Sequence, residues 1–202
     1  MSLRHIGPEP SGTMPIDYED LAGLIPDFVA NREDLNTVEF ENIAKALPWA
    51  YEPARRDGPE GVLYYGFMLD LHRNMFGDVW RWAGTLRQRL ADIGGDPTQI
   101  VMQSQSLFGD ALLWHGESLF RADELAARVH GRLVSIHPFP NRNGRLTRLM
   151  ADLYLIAIGS PTFTWGESRL DEVDAGRAAY IRALVLAIGT DDYSELVRFA
   201  RG

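Results

Sequence analysis

Twelve residues, His137-Pro-Phe-Pro-Asn-Arg-Asn-Gly-Arg-Leu-Thr-Arg148, concentrate the side chains able to do chemistry. Histidine titrates close to neutral pH and so can take a proton from an attacking hydroxyl. Asn141-Arg-Asn-Gly144 reads as a turn, because Asn and Gly tolerate positive φ, and there successive backbone N–H groups can converge on one point. Leu146, Leu149, Met150, Leu153 and Ile156 then recur at helical spacing, so the turn empties into a helix N-terminus. Unpaired N–H groups and the positive end of the helix dipole favour an anion there. Arg145 and Arg148, three residues apart, fall on one side of that helix. Singly, each feature has an ordinary explanation as a cap, a turn or a solvated face. In this order they describe a base next to a polyphosphate site.

The flanking chain must hold this loop. Leu125, Val129, Leu133 and Ile136 predict a helix that runs into His137, and Pro138 and Pro140 stop it. Residues 62–76 are apolar on most faces and predict a central helix, in which His72 is expected to be a core histidine bonded to a neighbour. Trp80 and Trp82 are expected to pack the corner that follows. Residues 88–93 are extended by pattern and Gly94-Gly-Asp-Pro97 supplies a turn, which reads equally as a short strand in a hairpin or extended flap, or as a plain loop. A long helix should start at Pro97 and reach about His115, facing Ile100, Leu107, Ala111 and Leu112 inward. His115 and His130 are expected to be surface or bonded core residues. Further helices are predicted over residues 17–30, bent at Pro26, and over residues 36–47, where Asn36 caps, Phe40, Ile43, Ala44 and Leu47 are buried, and Pro48 ends the helix. Residues 52–61 read as a polar linker, and two more helices are expected over 172–188 and 191–200. The division expected is a poorly ordered 1–16, N-terminal helices over 17–60 and a main domain over 61–202.

Composition narrows the class. A chain of 202 residues with 46% hydrophobic residues can bury a core as one globular unit. The formal charge of −8, with a single lysine at Lys45, argues against direct nucleic-acid binding, which needs clustered cations. Absence of cysteine excludes disulfides and thiol chemistry. No apolar run is long enough to span a bilayer and no signal peptide is recognisable, so a cytoplasmic location without membrane partners is expected. No His, Cys or carboxylate cluster has metal-ligand spacing.

The twelve-residue stretch resembles the signature of the Fic (Fic/DOC) family, His-Pro-Phe-x-(Asp/Glu)-Gly-Asn-Gly-Arg-x-x-Arg. His137, Pro138, Phe139, Asn143, Gly144, Arg145 and Arg148 agree with it. Asn141 departs, standing where the family usually has an acid, and so does Arg142, standing where it usually has Gly. The run His-Pro-Phe-Pro-Asn is similar to the branch called mobile mystery protein B. Leu71 to Arg87 resembles the family's approach to its flap. The resemblance implies a mainly α fold, a Fic-type helical bundle with one small β-hairpin flap. It implies an enzyme that transfers AMP from ATP to a Ser, Thr or Tyr hydroxyl of a target protein.

In that reading His137 is the general base, and Arg142, Asn143, Gly144, Arg145 and Arg148 bind the phosphates, although Arg142 either contacts a phosphate or crowds the turn. Mg²⁺ would accompany ATP and be held weakly at Asn141, whose amide replaces a carboxylate. Ile93 and Gly94 lie on the flap that would hold the target by strand addition. Tyr180 would lie near the adenine, or else pack on the motif helix. Thr37-Val-Glu-Phe-Glu41-Asn42 resembles the family's inhibitory motif, which would set Glu41, with Thr37 and Asn42, against Arg148. Two alternatives stand: γ-phosphate transfer as in the relative Doc, or a catalytically impaired, toxin-like binding protein. By association, a helix-turn-helix or antitoxin-like partner is expected.

Overall fold

A computed structural model describes residues 21–166 and 173–202. Seven α-helices among the described residues carry the fold: α1 (Arg32–Asp57), α2 (Tyr65–Phe76), α3 (Ile100–Gly116), α4 (Ala122–Ile136), α5 (Asn143–Ala157), α6 (Val173–Thr190) and α7 (Ser194–Arg201). Helix α4 is the hub. Leu125, Val129, Leu133 and Ile136 enter the main core, while Ala127 and Val134 enter a second cluster with Ala183, Leu184, Ala187, Tyr193 and Leu196 of α6 and α7. A helix buried on both sides needs apolar or internally paired residues all round. Arg128, enclosed by α4's neighbours, donates to Glu124 and Asp191 accordingly. Gly131 permits the close approach, since a Cβ there would meet the Tyr193 ring at 2.9 Å.

Helix α1 lies along α2 and α5. It starts at Arg32, where Asn31 Oδ1 accepts from the Asp34 N–H at 3.0 Å, not at Asn36. It also runs through Pro48 and Pro53, which corrects both the stop at Pro48 and the polar linker over 52–61. The reason is tertiary. Ala46, Ala50 and Ala54, spaced by four and buried, let the backbone seat closely on its neighbours, and that packing outweighs the local cost of proline. The buried face is therefore Leu35, Glu39, Asn42, Ala46, Ala50 and Ala54, whereas Phe40 is 72% exposed. Relative to expectation the helix is turned by about one residue, roughly 100°.

Of the helix expected over 17–30, only Leu21 is helical among the described residues; residues 22–30 form turns and bends with one isolated antiparallel bridge from Leu24 to Trp80, and residues 17–20 lie outside the described residues. The hairpin expected after residue 88 is absent: residues 85–96 are extended and bent, with no strand among the described residues. The expectations for residues 1–16 and for the start of the helix at Glu172 lie outside the described residues. No helix among the described residues is long and apolar enough to cross a membrane.

Candidate active site

The loop joining α4 to α5 builds the site. His137 terminates α4 in the left-handed conformation (φ 52°), its N–H donating to Leu133 O at 2.9 Å, so the ring leaves the helix axis into the loop. Arg142 opens α5, also left-handed at φ 64°, where glycine would be unstrained. Between them Asn143 fastens the turn to itself. Its Oδ1 accepts from Phe139 N at 3.0 Å and its Nδ2 donates to Phe139 O at 2.8 Å. The Asn143 side chain is thus a brace, and only the first-turn N–H groups of α5 remain to meet an anion.

His72 supports the loop from below. Its ring stacks on Phe139 with centroids 3.8 Å apart. Nδ1 accepts from Gly84 N at 2.9 Å, which fixes the proton on Nε2, facing Asn141 O at 3.2 Å. Both nitrogens are used, so this histidine is structural as expected, and burial holds its pKa down to about 3. His137 is buried too (7% exposed), and desolvation lowers its pKa to about 4, with the Val134 carbonyl opposing and Arg87 assisting. A neutral imidazole is a base ready for use.

Arg87 pins the flap to this loop. Its Nε donates to His137 O at 2.6 Å, Nη1 to Arg89 O at 2.8 Å and Nη2 to Gly95 O at 2.7 Å, while its own N–H donates to Pro138 O at 3.0 Å. These bonds explain the missing hairpin: one guanidinium takes carbonyls that a two-stranded ladder would have used. Gly94 (φ 104°) touches the loop so closely that a Cβ would meet His137 Cβ at 2.8 Å. Leu90 and Ile93 face outward, 79% and 46% exposed. Beside the flap, a groove of about 490 Å³ between α3 and α4 is lined by Gly95, Met102, Leu107, Arg132 and Ser135.

The acid that meets the arginines is not the expected one. Glu41 is exposed and Thr37 Oγ1 donates to Glu33 O, while Asn42 is bound to the Asn74 and Asp78 region. Glu39, fully buried, takes their place. Its Oε1 accepts from Arg142 Nε and from Trp80 Nε1, both at 2.6 Å, and its Oε2 from Arg145 Nη1 at 2.5 Å. The signal available was the spacing Leu35, Glu39, Asn42, Ala46, which marks one helix face.

Arg148 is joined to no carboxylate among the described residues. Its guanidinium lies 5.9 Å from the centroid of the Tyr180 ring. Tyr180 Oη is 3.0 Å from Nε2 of buried His130, and its ring packs near Phe199. Tyr180 therefore packs against the motif helix beside Arg148. The expected metal position does not fit a divalent cation. Asn141 is buried with its Oδ1 accepting from Arg142 N at 2.8 Å, and no group of three His, Cys, Asp or Glu able to hold a metal occurs among the described residues.

The model of the Fic/DOC family matches residues 63–155, from just before α2 to near the end of α5. Protein adenylyltransferase Fic of Drosophila willistoni is 33% identical over 99 residues, which cover 46% of this chain and 20% of the relative. A fragment of Fic-1 from C. elegans superposes with a TM-score of 0.62 at 22% identity, covering 89% of this chain and 51% of that one. The BepC protein of Bartonella tribocorum, a VirB-translocated effector solved with AMPPNP bound, superposes with a TM-score of 0.60 at 16% identity, covering 84% of this chain and 85% of that one. These likenesses establish the fold. The chain spans about a fifth of the length of the curated relative and half of the worm fragment.

Proposed function

We propose that the Fic/DOC family domain of residues 63–155 makes this chain a protein adenylyltransferase, moving AMP from ATP to a Ser, Thr or Tyr hydroxyl of a target protein. The observation that carries the reading is one short loop with a neutral, buried histidine at its start and, at its end, an open helix N-terminus with Arg145 and Arg148. The target hydroxyl oxygen attacks the α-phosphorus, the bond to the bridging oxygen of the β-phosphate breaks, pyrophosphate leaves, and the hydroxyl proton passes to His137 Nε2. First-turn N–H groups of α5 stabilise the charge that develops on the α-phosphate oxygens. Arg148 binds the distal phosphates and holds the chain of phosphates in line. The bound AMPPNP of BepC supports ATP as the donor. No step is routed through a metal ion.

In this reading the target lies along residues 88–95 as an added strand, which the open backbone of a single extended segment suits. Residues flanking its hydroxyl would enter the groove beside Met102 and Ser135. Glu39 regulates the site by competition: while it neutralises Arg142 and Arg145, those cations are withheld from ATP. The His137–Asn141 run also supports placing the chain in the mobile mystery protein B branch, with a helix-turn-helix partner. The test is transfer from ATP labelled at the α- or at the γ-phosphate in a lysate. Label from the α position on a protein supports adenylyl transfer. Label from the γ position alone would assign phosphoryl transfer instead, and no label from either would assign a binding role.

A further inference from the structure

The four cations around the motif helix are not equivalent. Arg142 and Arg145 are neutralised by Glu39. Arg148 and Arg177 are not. Arg177 lies in the second turn of α6, three residues before Tyr180 and so on the same face. Its Nε is buried with no hydrogen-bond acceptor among the described residues. Arg148 approaches the same tyrosine from α5, its guanidinium 5.9 Å from the ring centroid, and the two guanidiniums repel each other. Asp152, whose charge opposes that repulsion at Arg148, is committed elsewhere, accepting from Trp165 Nε1 at 2.9 Å and Phe163 N at 3.1 Å. Burial also lifts its pKa to about 6, which weakens it as a counter-ion.

Two mutually repelling guanidiniums, partly desolvated and with no carboxylate bonded to either among the described residues, destabilise a fold unless an anion joins them. His130 Nε2 lies 3.0 Å from Tyr180 Oη, which fixes the ring beside which Arg148 lies.

We infer that Arg177 is a further anion-binding residue, forming with Arg148 beside Tyr180 a clamp for the terminal phosphates of a nucleoside triphosphate. The inference rests on the adenylyltransferase reading and adds to it a residue outside the signature and outside the segment that the family model matches. The clamp selects triphosphate over monophosphate. Because Glu39 does not touch either member, it stays available while Arg142 and Arg145 are occupied.

The test is calorimetric titration of the full chain with inorganic tripolyphosphate, ATP and AMP. Losing a charge-assisted contact costs about 10-fold or more in affinity, so Arg177→Gln should weaken tripolyphosphate and ATP by that factor and AMP by less than about 2-fold. Arg177→Lys, which keeps the charge without the fork, should fall between. Equal weakening of AMP and ATP, unchanged tripolyphosphate affinity in both variants, or no tripolyphosphate binding by the wild type overturns the clamp. Binding that depends on Arg177 in a chain that transfers no label would leave the clamp standing and remove the transferase reading. Label transfer with Arg177-independent binding would do the reverse.

Discussion

At the scale of single residues, the proposed chemistry turns on a histidine kept neutral by burial. Its base form exists above a pKa of about 4, so it is fully available across the physiological range and is lost only on acidification. The expected profile of kcat/KM, which reports the free enzyme, is flat from pH 6 to 8 and falls below about 5 once ATP's own ionisation is divided out. A limb centred on histidine's ordinary value near 6.5 would instead mean that the ring is solvated. The sequence made this residue legible, with Arg145, Arg148 and the turn, because a signature records the types that chemistry demands. It did not make Glu39 legible. Two acids two residues apart on one helix differ by about 200° in direction, and only the packing of α1 decides which one points inward. Arg142 was left open between a phosphate contact and a steric block. In this structure it donates to Glu39 from a left-handed position, an acceptor that the local sequence does not reveal.

At the scale of elements, the helices after residue 62 were legible from periodicity, and their bounds shift by only a few residues. α1 was not, since proline rules describe a helix in isolation and this one is held by its neighbours. The flap was legible as extended chain but not as an unpaired one, because Arg87 acts through distant carbonyls that no local pattern reveals. Its closest approach is at Gly94, and this gives a prediction. Gly94→Ala forces a side chain into a positive-φ position against His137 Cβ and Arg87, so the flap must lift. Misplacement of about 1 Å near a reacting group can cost on the order of 100-fold in rate. Transfer should fall by about 10-fold or more while nucleotide affinity stays near wild type, and limited proteolysis should find a newly cleavable bond within residues 88–95. Wild-type transfer in this variant would mean that the flap does not position the target.

At the scale of the whole molecule, the buried histidines couple the fold to pH. The pKa of His72 and of His130 is lowered to about 3 and that of His137 to about 4, against an unfolded value near 6.5. Between those limits the unfolded chain binds protons that the folded chain does not, so their contribution is present above 6.5 and is lost as pH falls. Each histidine costs about 1.4 kcal/mol per pH unit through that window. Asp152 has the opposite sign: raised to about 6, it favours the folded state as pH falls through the range from 6 to 4 and offsets one of the three. The urea midpoint should therefore drop steeply between pH 6.5 and 4.5, and a flat midpoint would show that these rings are accessible. The proposed regulation also belongs to this scale, since Glu39 ties α1 to the loop between α4 and α5 across more than a hundred residues of chain. The most direct measurement is the initial rate of α-label transfer at limiting ATP for the wild type, Glu39→Gln, Glu41→Gly and Glu39→Gln with His137→Ala. Freeing Arg142 and Arg145 of a charged contact should raise the rate of Glu39→Gln by about 10-fold or more, and its neutral amide still accepts from Trp80. Glu41→Gly should match the wild type, and the double variant should lose about 10²–10⁴-fold relative to Glu39→Gln. A Glu39→Gln rate no higher than wild type, together with a double variant that keeps it, would contradict both the latch and the base.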